Sequence, residues 1–182
     1  MNWEQRQVVL GTLLGNAFLC KGDYLCIQHS KKNEDYLRLK AEVVSEYARP
    51  TPFYEKSGTV GWRSSRNPIW QEFRTLCYTN DQKMVSMRWL DEMHAIAMTI
   101  WYCDSGSLIG YRRRNACLRT QSFGQGNEII KQYFSEIGIP CSMNKSKKSW
   151  IIVFGVEETE AFLKIVAPYV PTFLHDKLLR RD

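Results

Sequence analysis

Apolar residues Val8, Val9, Leu13 and Leu14 recur at helical spacing between Trp3 and Gly15, and Asn2 followed three residues later by Gln5 forms a capping-box signature. The spacing predicts an opening helix. The same pattern returns from Asp91 to Cys103, with Met93, Ile96, Ala97, Ile100 and Trp101 forming the apolar positions of a second helix that ends in the turn Asp104-Ser105-Gly106. After the first helix, the pattern predicts a strand over Tyr24 to Ser30, a helix over Glu34 to Tyr47, a β pair from Phe53 to Ser64 and a helix over Ile69 to Tyr78. After the second come strands from Leu108 to Thr120, a helix over Gln125 to Ile137, strands from Cys141 to Phe154 and a helix over Glu157 to Val166. The chain reads as an α+β fold built twice, a first repeat over 1–90 and a second over 91–182, with no linker between them.

The two opening helices end at Asn16 and Ser105, 89 residues apart. Gly11 and Gly15 lie four residues apart on one of them. Ala95, Thr99 and Cys103 form a small-residue stripe on the other. Small faces let two helix backbones approach closely; the other reading of the two glycines is a packing accident and a C-terminal cap.

Composition narrows the chemistry. The 182 residues are 44% hydrophobic, enough for one domain or two fused repeats sharing a core. Twenty-five Lys and Arg against 19 Asp and Glu give a net charge of +6, a balance suited to a polyanion. No apolar run reaches the length of a membrane span, and Met1-Asn2-Trp3-Glu4 does not resemble a secretion signal. Six dispersed cysteines contain no CxxC pair, and His29, His94 and His175 do not complete a zinc spacing. They are expected to be reduced thiols in an intracellular protein.

Two segments then carry a resemblance. Leu10–Leu19 (LGTLLGNAFL) and Met98–Leu108 (MTIWYCDSGSL) resemble the two motif helices of LAGLIDADG homing endonucleases, in particular the single-chain kind of organellar introns. The first motif is otherwise LGDG or LGDA where this chain has Leu14-Gly15-Asn16-Ala17, and the second is otherwise WYMDDG where it has Trp101 to Gly106. The likeness extends through Cys26-Ile27-Gln28, Lys32-Asn33 to Tyr36, Leu118 to Phe123, Ala167-Pro168-Tyr169 and Lys177-Leu178. It implies a pseudo-twofold αββαββα pair with the motif helices packed at the centre and two antiparallel sheets forming a saddle over DNA, and the internal duplication argues that a monomer suffices. It also implies an organellar setting, mitochondrion or chloroplast.

In similar enzymes the last acid of each motif helix binds bridging divalent metals, and the DNA is cut by metal-activated water. The matching positions here are Asn16 and Ser105, neither a carboxylate. Magnesium is therefore implied only if cleavage remains. Asp104 stands one residue early, turned about 100° around the helix, and is expected to point into its own half. Asp23 would have to help from a loop. An active endonuclease or nickase using Asp104 is one alternative reading. Lys83 and Lys177 match the lysine that each half of similar enzymes places beside the metals, where it stabilises charge.

The strands and turns expected to face nucleic acid carry Lys31, Lys32, Arg63, Arg66, Arg112, Arg113, Arg114, Arg119, Lys145, Lys147 and Lys148. Gln28, Gln121, Arg63 and Arg119 have the donor patterns that read base edges in a major groove. Arg112 to Arg114 and Lys145 to Lys148 suit phosphate contacts. Double-stranded DNA is the expected partner. The alternatives are structured RNA, for a maturase or a part of a ribonucleoprotein, and a DNA-binding regulator without cleavage. Trp62, Trp70, Trp101, Trp150, Tyr133 and Phe134 are the aromatics available for base stacking, although Trp101 and Phe134 fall on apolar faces.

Overall fold

The computed structural model describes residues 1–47, 52–146 and 149–179. Asn2 caps the first helix, α1 (Trp3–Leu14), as the capping box requires: its side-chain oxygen accepts from the Gln5 backbone, and the Gln5 side chain accepts from the Asn2 backbone, each at 2.9 Å. α1 is followed at once by β1 (Ala17–Cys20) and β2 (Tyr24–Ser30), then α2 (Glu34–Val43), β3 (Phe53–Tyr54), β4 (Thr59–Arg63) and α3 (Ile69–Cys77). A small hairpin of β5 (Tyr78–Thr79) and β6 (Gln82–Lys83) leads into α4 (Met87–Asp91). The order then repeats: α5 (Ala95–Ser105), β7 (Gly106–Ile109), β8 (Asn115–Arg119), α6 (Gly126–Glu136), β9 (Cys141–Ser146), β10 (Ser149–Phe154) and α7 (Val156–Val166).

Each series builds a four-stranded antiparallel sheet of the same topology, β1-β2-β4-β3 and β7-β8-β10-β9. The registers match as well. Ala17 pairs with Ile27 in the first sheet and Gly106 with Leu118 in the second, so Gln28 and Arg119 hold equivalent positions, as do His29 and Thr120.

α1 and α5 pack against each other at the centre and are buried nearly all round, the expected state of a helix covered on every side. Gly11 permits the contact: a side-chain carbon there would lie 2.3 Å from the Ala97 carbonyl oxygen and 2.9 Å from Ile100. Gly15 meets Asp104 in the same way. The α5 side of the contact is thus Ala97, Ile100 and Asp104, not the expected stripe of Ala95, Thr99 and Cys103. Thr99 instead donates to Val166, and Cys103 packs with Tyr36 and Val170. One continuous core joins both halves, from Leu10, Trp62 and Trp70 to Trp101, Phe134 and Phe162.

Three elements differ from the sequence pattern. The second apolar helix is interrupted at 92–94, because the Gln7 side chain takes both the Glu92 carbonyl (2.8 Å) and the His94 amide (2.7 Å) and turns the chain there. α2 stops at Val43 and continues only as a 3-10 turn, Ser45–Tyr47. The segment after Gly15 is already strand, with Ala17 and Leu19 facing the core and Phe18 facing out.

Candidate nucleic-acid interface and helix-pair foot

The foot of the α1–α5 pair is where the motif acids would stand. Asn16 is exposed there, with its amide nitrogen 3.4 Å from His29 Nδ1. Ser105 is half-buried and its Oγ donates to the Trp101 carbonyl at 3.0 Å. Asp104 has a fully buried side chain that does not point into its own half. It crosses to the first half, where Oδ2 accepts from the Asn16 backbone N–H at 3.0 Å and Lys40 Nζ lies 2.8 and 3.1 Å from its two oxygens. The reason is spacing: Ala97, Ile100 and Asp104 follow i, i+3, i+7 and share the stripe facing α1, and Gly15 leaves room for the carboxylate.

His29 completes the cluster, its Nε2 3.6 Å from Asp104 Oδ1 and its ring edge-on to Tyr36. Burial, aided by the nearby Lys40 charge, pulls the His29 imidazole down to about 4, so it is neutral near pH 7. Burial also lowers Lys40, an effect opposed by Asp104. The Tyr36 hydroxyl is raised well above its ordinary value, first by burial and then by the Asp104 charge.

Lys40 and His29 are functional-site residues that the motifs do not mark. Their signals lie in the pattern: Lys40 occupies a core position of α2 with Tyr36 and Leu37, and His29 continues the inward register of Leu25 and Ile27. A basic residue in an apolar stripe calls for a buried partner.

The two lysines of the resemblance are held by backbone. In the β5–β6 turn Asn80 and Asp81 both adopt positive φ (49° and 62°), the conformation of a tight two-residue hairpin. The turn delivers Lys83 to α1, where Nζ donates to the Leu13 and Ala17 carbonyls at 2.8 and 2.9 Å. Burial lowers its ammonium to about 8. Lys177, at the end of the 3-10 segment Thr172–Lys177, donates to the Gly106 carbonyl at 2.8 Å and is also lowered by burial. Each lysine thus neutralises carbonyls at the end of one motif helix. Lys83 and Asn16 line one open pocket of about 470 Å³ with Gln28, His29 and Ser122.

Magnesium takes charged oxygens in near-octahedral array. The foot offers a neutral Asn16 amide, a Ser105 hydroxyl turned onto its own helix and a carboxylate whose two oxygens are already bonded. This donor set does not fit a divalent metal. Asp23 lies away from the foot, 2.6 Å from Gln71 Nε2 and 3.8 Å from Arg74 Nε.

The strand faces turned away from the core carry other residues of the sequence reading. Gln28 and Arg63 lie on one face with Phe18, Tyr24 and Phe53, and Arg63 sits 5.2 Å over the Tyr24 ring and 5.3 Å over the Phe53 ring. Gln28 is 3.4 Å from Glu55. Arg119 is exposed on the corresponding face of the second sheet, and Gln121 is exposed in the 3-10 turn after it. Lys31 and Lys32 are exposed in the 3-10 turn following β2, and Arg66 is exposed beside Gly22. Arg112 and Arg114 are exposed and Arg113 is half-buried in the β7–β8 turn, where Arg112 and Arg113 hold positive φ. Lys147 and Lys148 lie outside the described residues, as does the side chain of Lys145 on β9. Trp62, Trp70, Trp101, Tyr133 and Phe134 are core, and Trp150 is half-buried, so this set forms no stacking platform.

Two repeated sheets around a close helix pair whose feet carry lysines define a duplicated α+β fold. The family model of the LAGLIDADG DNA endonuclease family matches residues 6–162, and the chain belongs to that family. Its curated relatives include the protein RecA of Mycolicibacterium flavescens, 27% identical over 98% of this chain and 47% of that protein. The RecA of Mycobacterium leprae (strain TN) is 24% identical over 97% of this chain and 28% of its own length. The chain thus spans about half, or less, of the curated relatives it matches. Among solved structures, the homing endonuclease I-WcaI bound to its DNA recognition sequence matches with a TM-score of 0.88, 20% identity and coverage of 100% of this chain and 88% of that one. I-DmoI in complex with DNA and Ca matches at 0.62, with 10% identity over 94% of this chain and 95% of that one. The N-terminal LAGLIDADG domain of DUF199/WhiA matches at 0.60, with 11% identity over 95% and 86%.

Proposed function

We propose that this chain recognises a long double-stranded DNA site through the outward faces of its two sheets, and that metal-dependent cleavage is lost or strongly weakened. The observation that carries the second half is the foot of the helix pair. Asn16 and Ser105 stand where carboxylates are expected, and the remaining acid, Asp104, is buried against Lys40 at 2.8 Å. Two-metal hydrolysis needs carboxylates free to hold ions at both scissile phosphates. A buried carboxylate neutralised by an internal ammonium does not meet that need, which also weighs against an endonuclease or nickase built on Asp104.

DNA recognition is supported by family membership, by the net charge of +6 and by the equivalent outward positions of Gln28 and Arg119. Gln bridges adenine N6 and N7, and Arg bridges guanine O6 and N7. Arg66 and the Arg112–Arg114 turn supply phosphate contacts.

The test is selection from a randomised duplex library, followed by affinity measurements over a range of salt with the selected sequence as DNA and as RNA. One preferred duplex whose binding falls steeply with salt is expected. Tighter binding to the RNA, or no enrichment of any duplex, contradicts the proposal.

A further inference from the structure

We infer that the Lys40 ammonium is the resident cation of the helix-pair foot, holding α5 to the first half by charge where a divalent ion would otherwise neutralise the acid. The inference extends the reading of a foot that does not bind metal, but it concerns folding rather than DNA.

Lys40 rises from α2, in the first half, and Asp104 descends at the end of α5, in the second. Both side chains are fully buried. Two of the ammonium's donors are accounted for by the two carboxylate oxygens, and its remaining side lies 4.5 Å from the Tyr36 ring centre, a cation–π contact. The Asn16 backbone N–H supplies the carboxylate with a further donor. His29 beside it is neutral. The cluster therefore carries one positive and one negative charge and is balanced without an added ion. A divalent cation brought to Asp104 would face the ammonium across the same two oxygens, at the cost of strong repulsion in a site sheltered from water. Removing the ammonium leaves a buried, uncompensated carboxylate, a state proteins relieve by protonation, by unfolding or by capturing another cation.

The experiment uses the full chain without nucleic acid. Thermal melting is followed in chelator and in millimolar manganese for the natural chain, Lys40→Ala, Lys40→Met, Asp104→Asn and the double variant Lys40→Met/Asp104→Asn. The natural chain should melt at the same temperature in both conditions. Lys40→Met should melt lower, by on the order of 10 °C. The double variant should recover most of that loss, because it buries neither charge. Lys40→Ala, with space where the ammonium stood, should be raised by manganese while the natural chain is not. Should a single variant not fold, a double variant that melts close to the natural chain supports the inference, and one that melts lower by on the order of 10 °C or more overturns it. A double variant at least as unstable as the two single losses combined overturns the inference. Manganese raising the natural chain as much as Lys40→Ala overturns it too. These melts contain no DNA, so their failure leaves DNA recognition standing, and a chain that selects no duplex leaves the ion-pair result standing.

Discussion

The feet of α1 and α5 share a scaffold and differ in charge. At each, a lysine from its own half bonds backbone carbonyls at the helix end, Lys83 on Leu13 and Ala17, Lys177 on Gly106. Beyond the lysines the symmetry fails. The first foot contains His29 and Lys40 and receives Asp104 from the other helix. The second has Thr120 at the position equivalent to His29, and its Ser105 hydroxyl is turned onto Trp101. A duplicated backbone preserves positions, whereas the chemistry at those positions is free to concentrate in one half. Here the only carboxylate of the two motif ends serves the first half as a structural charge.

The comparison breaks most sharply at Asp104. Changing Asp104→Asn strands a fully buried ammonium and should cost about 3–5 kcal/mol in urea unfolding. A loss below about 1 kcal/mol, the range of an exposed pair, would mean that the cross-repeat ion pair does not anchor the foot.

A pH effect separates the halves next. His29 is lowered to about 4 in the fold, below its ordinary value of 6.5, so the unfolded chain binds the extra proton first. Its contribution is full above pH 6.5 and is lost as pH falls from 6.5 to 4, by up to about 3 kcal/mol. Stability curves of the natural chain and His29→Gln should converge in slope above that window and differ within it. The reverse arrangement, a difference only above pH 6.5, would contradict a buried neutral imidazole.

A smaller steric effect follows from Gly15. An alanine there would place its Cβ 2.3 Å from Asp104 Cβ, and Gly15→Ala should destabilise by about 1–3 kcal/mol. The same change made in an Asp104→Asn background should add less than in the natural chain, since the ion pair is no longer present to be displaced; equal losses would place the strain elsewhere.

Finest is the comparison of Gln28 with Arg119. Gln28→Ala and Arg119→Ala should each cost about 1–3 kcal/mol at one base pair of the selected site, and at different ends of it. Competition against single-base variants measures this. A uniform loss across all variants would make both residues phosphate contacts instead.

Most of the architecture was legible because periodicity is local. The capping box at Asn2 and Gln5, the apolar spacing of α1, α6 and α7 and the alternation of β2 and β8 each act within a few residues. The break at 92–94 was not, since it depends on the Gln7 side chain arriving from the other helix. Asn16, Ser105, Lys83 and Lys177 were legible as motif positions, although the lysines' bonds to carbonyls were not. The direction of Asp104 was implicit in its spacing from Ala97 and Ile100, but its partner was not: Lys40 is 64 residues away and meets it only through the packing of α2 beneath the helix pair. The stacking role considered for Trp62 and Trp70 failed because both fill the shared core, a placement set by tertiary contacts.

The loss of both motif carboxylates, at Asn16 and Ser105, is what we propose separates this chain from a DNA-cutting member of its family. It is tested by incubating the natural chain and Asn16→Asp/Ser105→Asp with the selected duplex, with and without magnesium, and resolving both strands on a denaturing gel. The natural chain should not cleave, the double variant should cleave both strands in a magnesium-dependent way, and either single change should give at most nicking. Cleavage by the natural chain at the rate of the double variant would contradict it, because Asp104 or another group would then already be supplying the metal ligands.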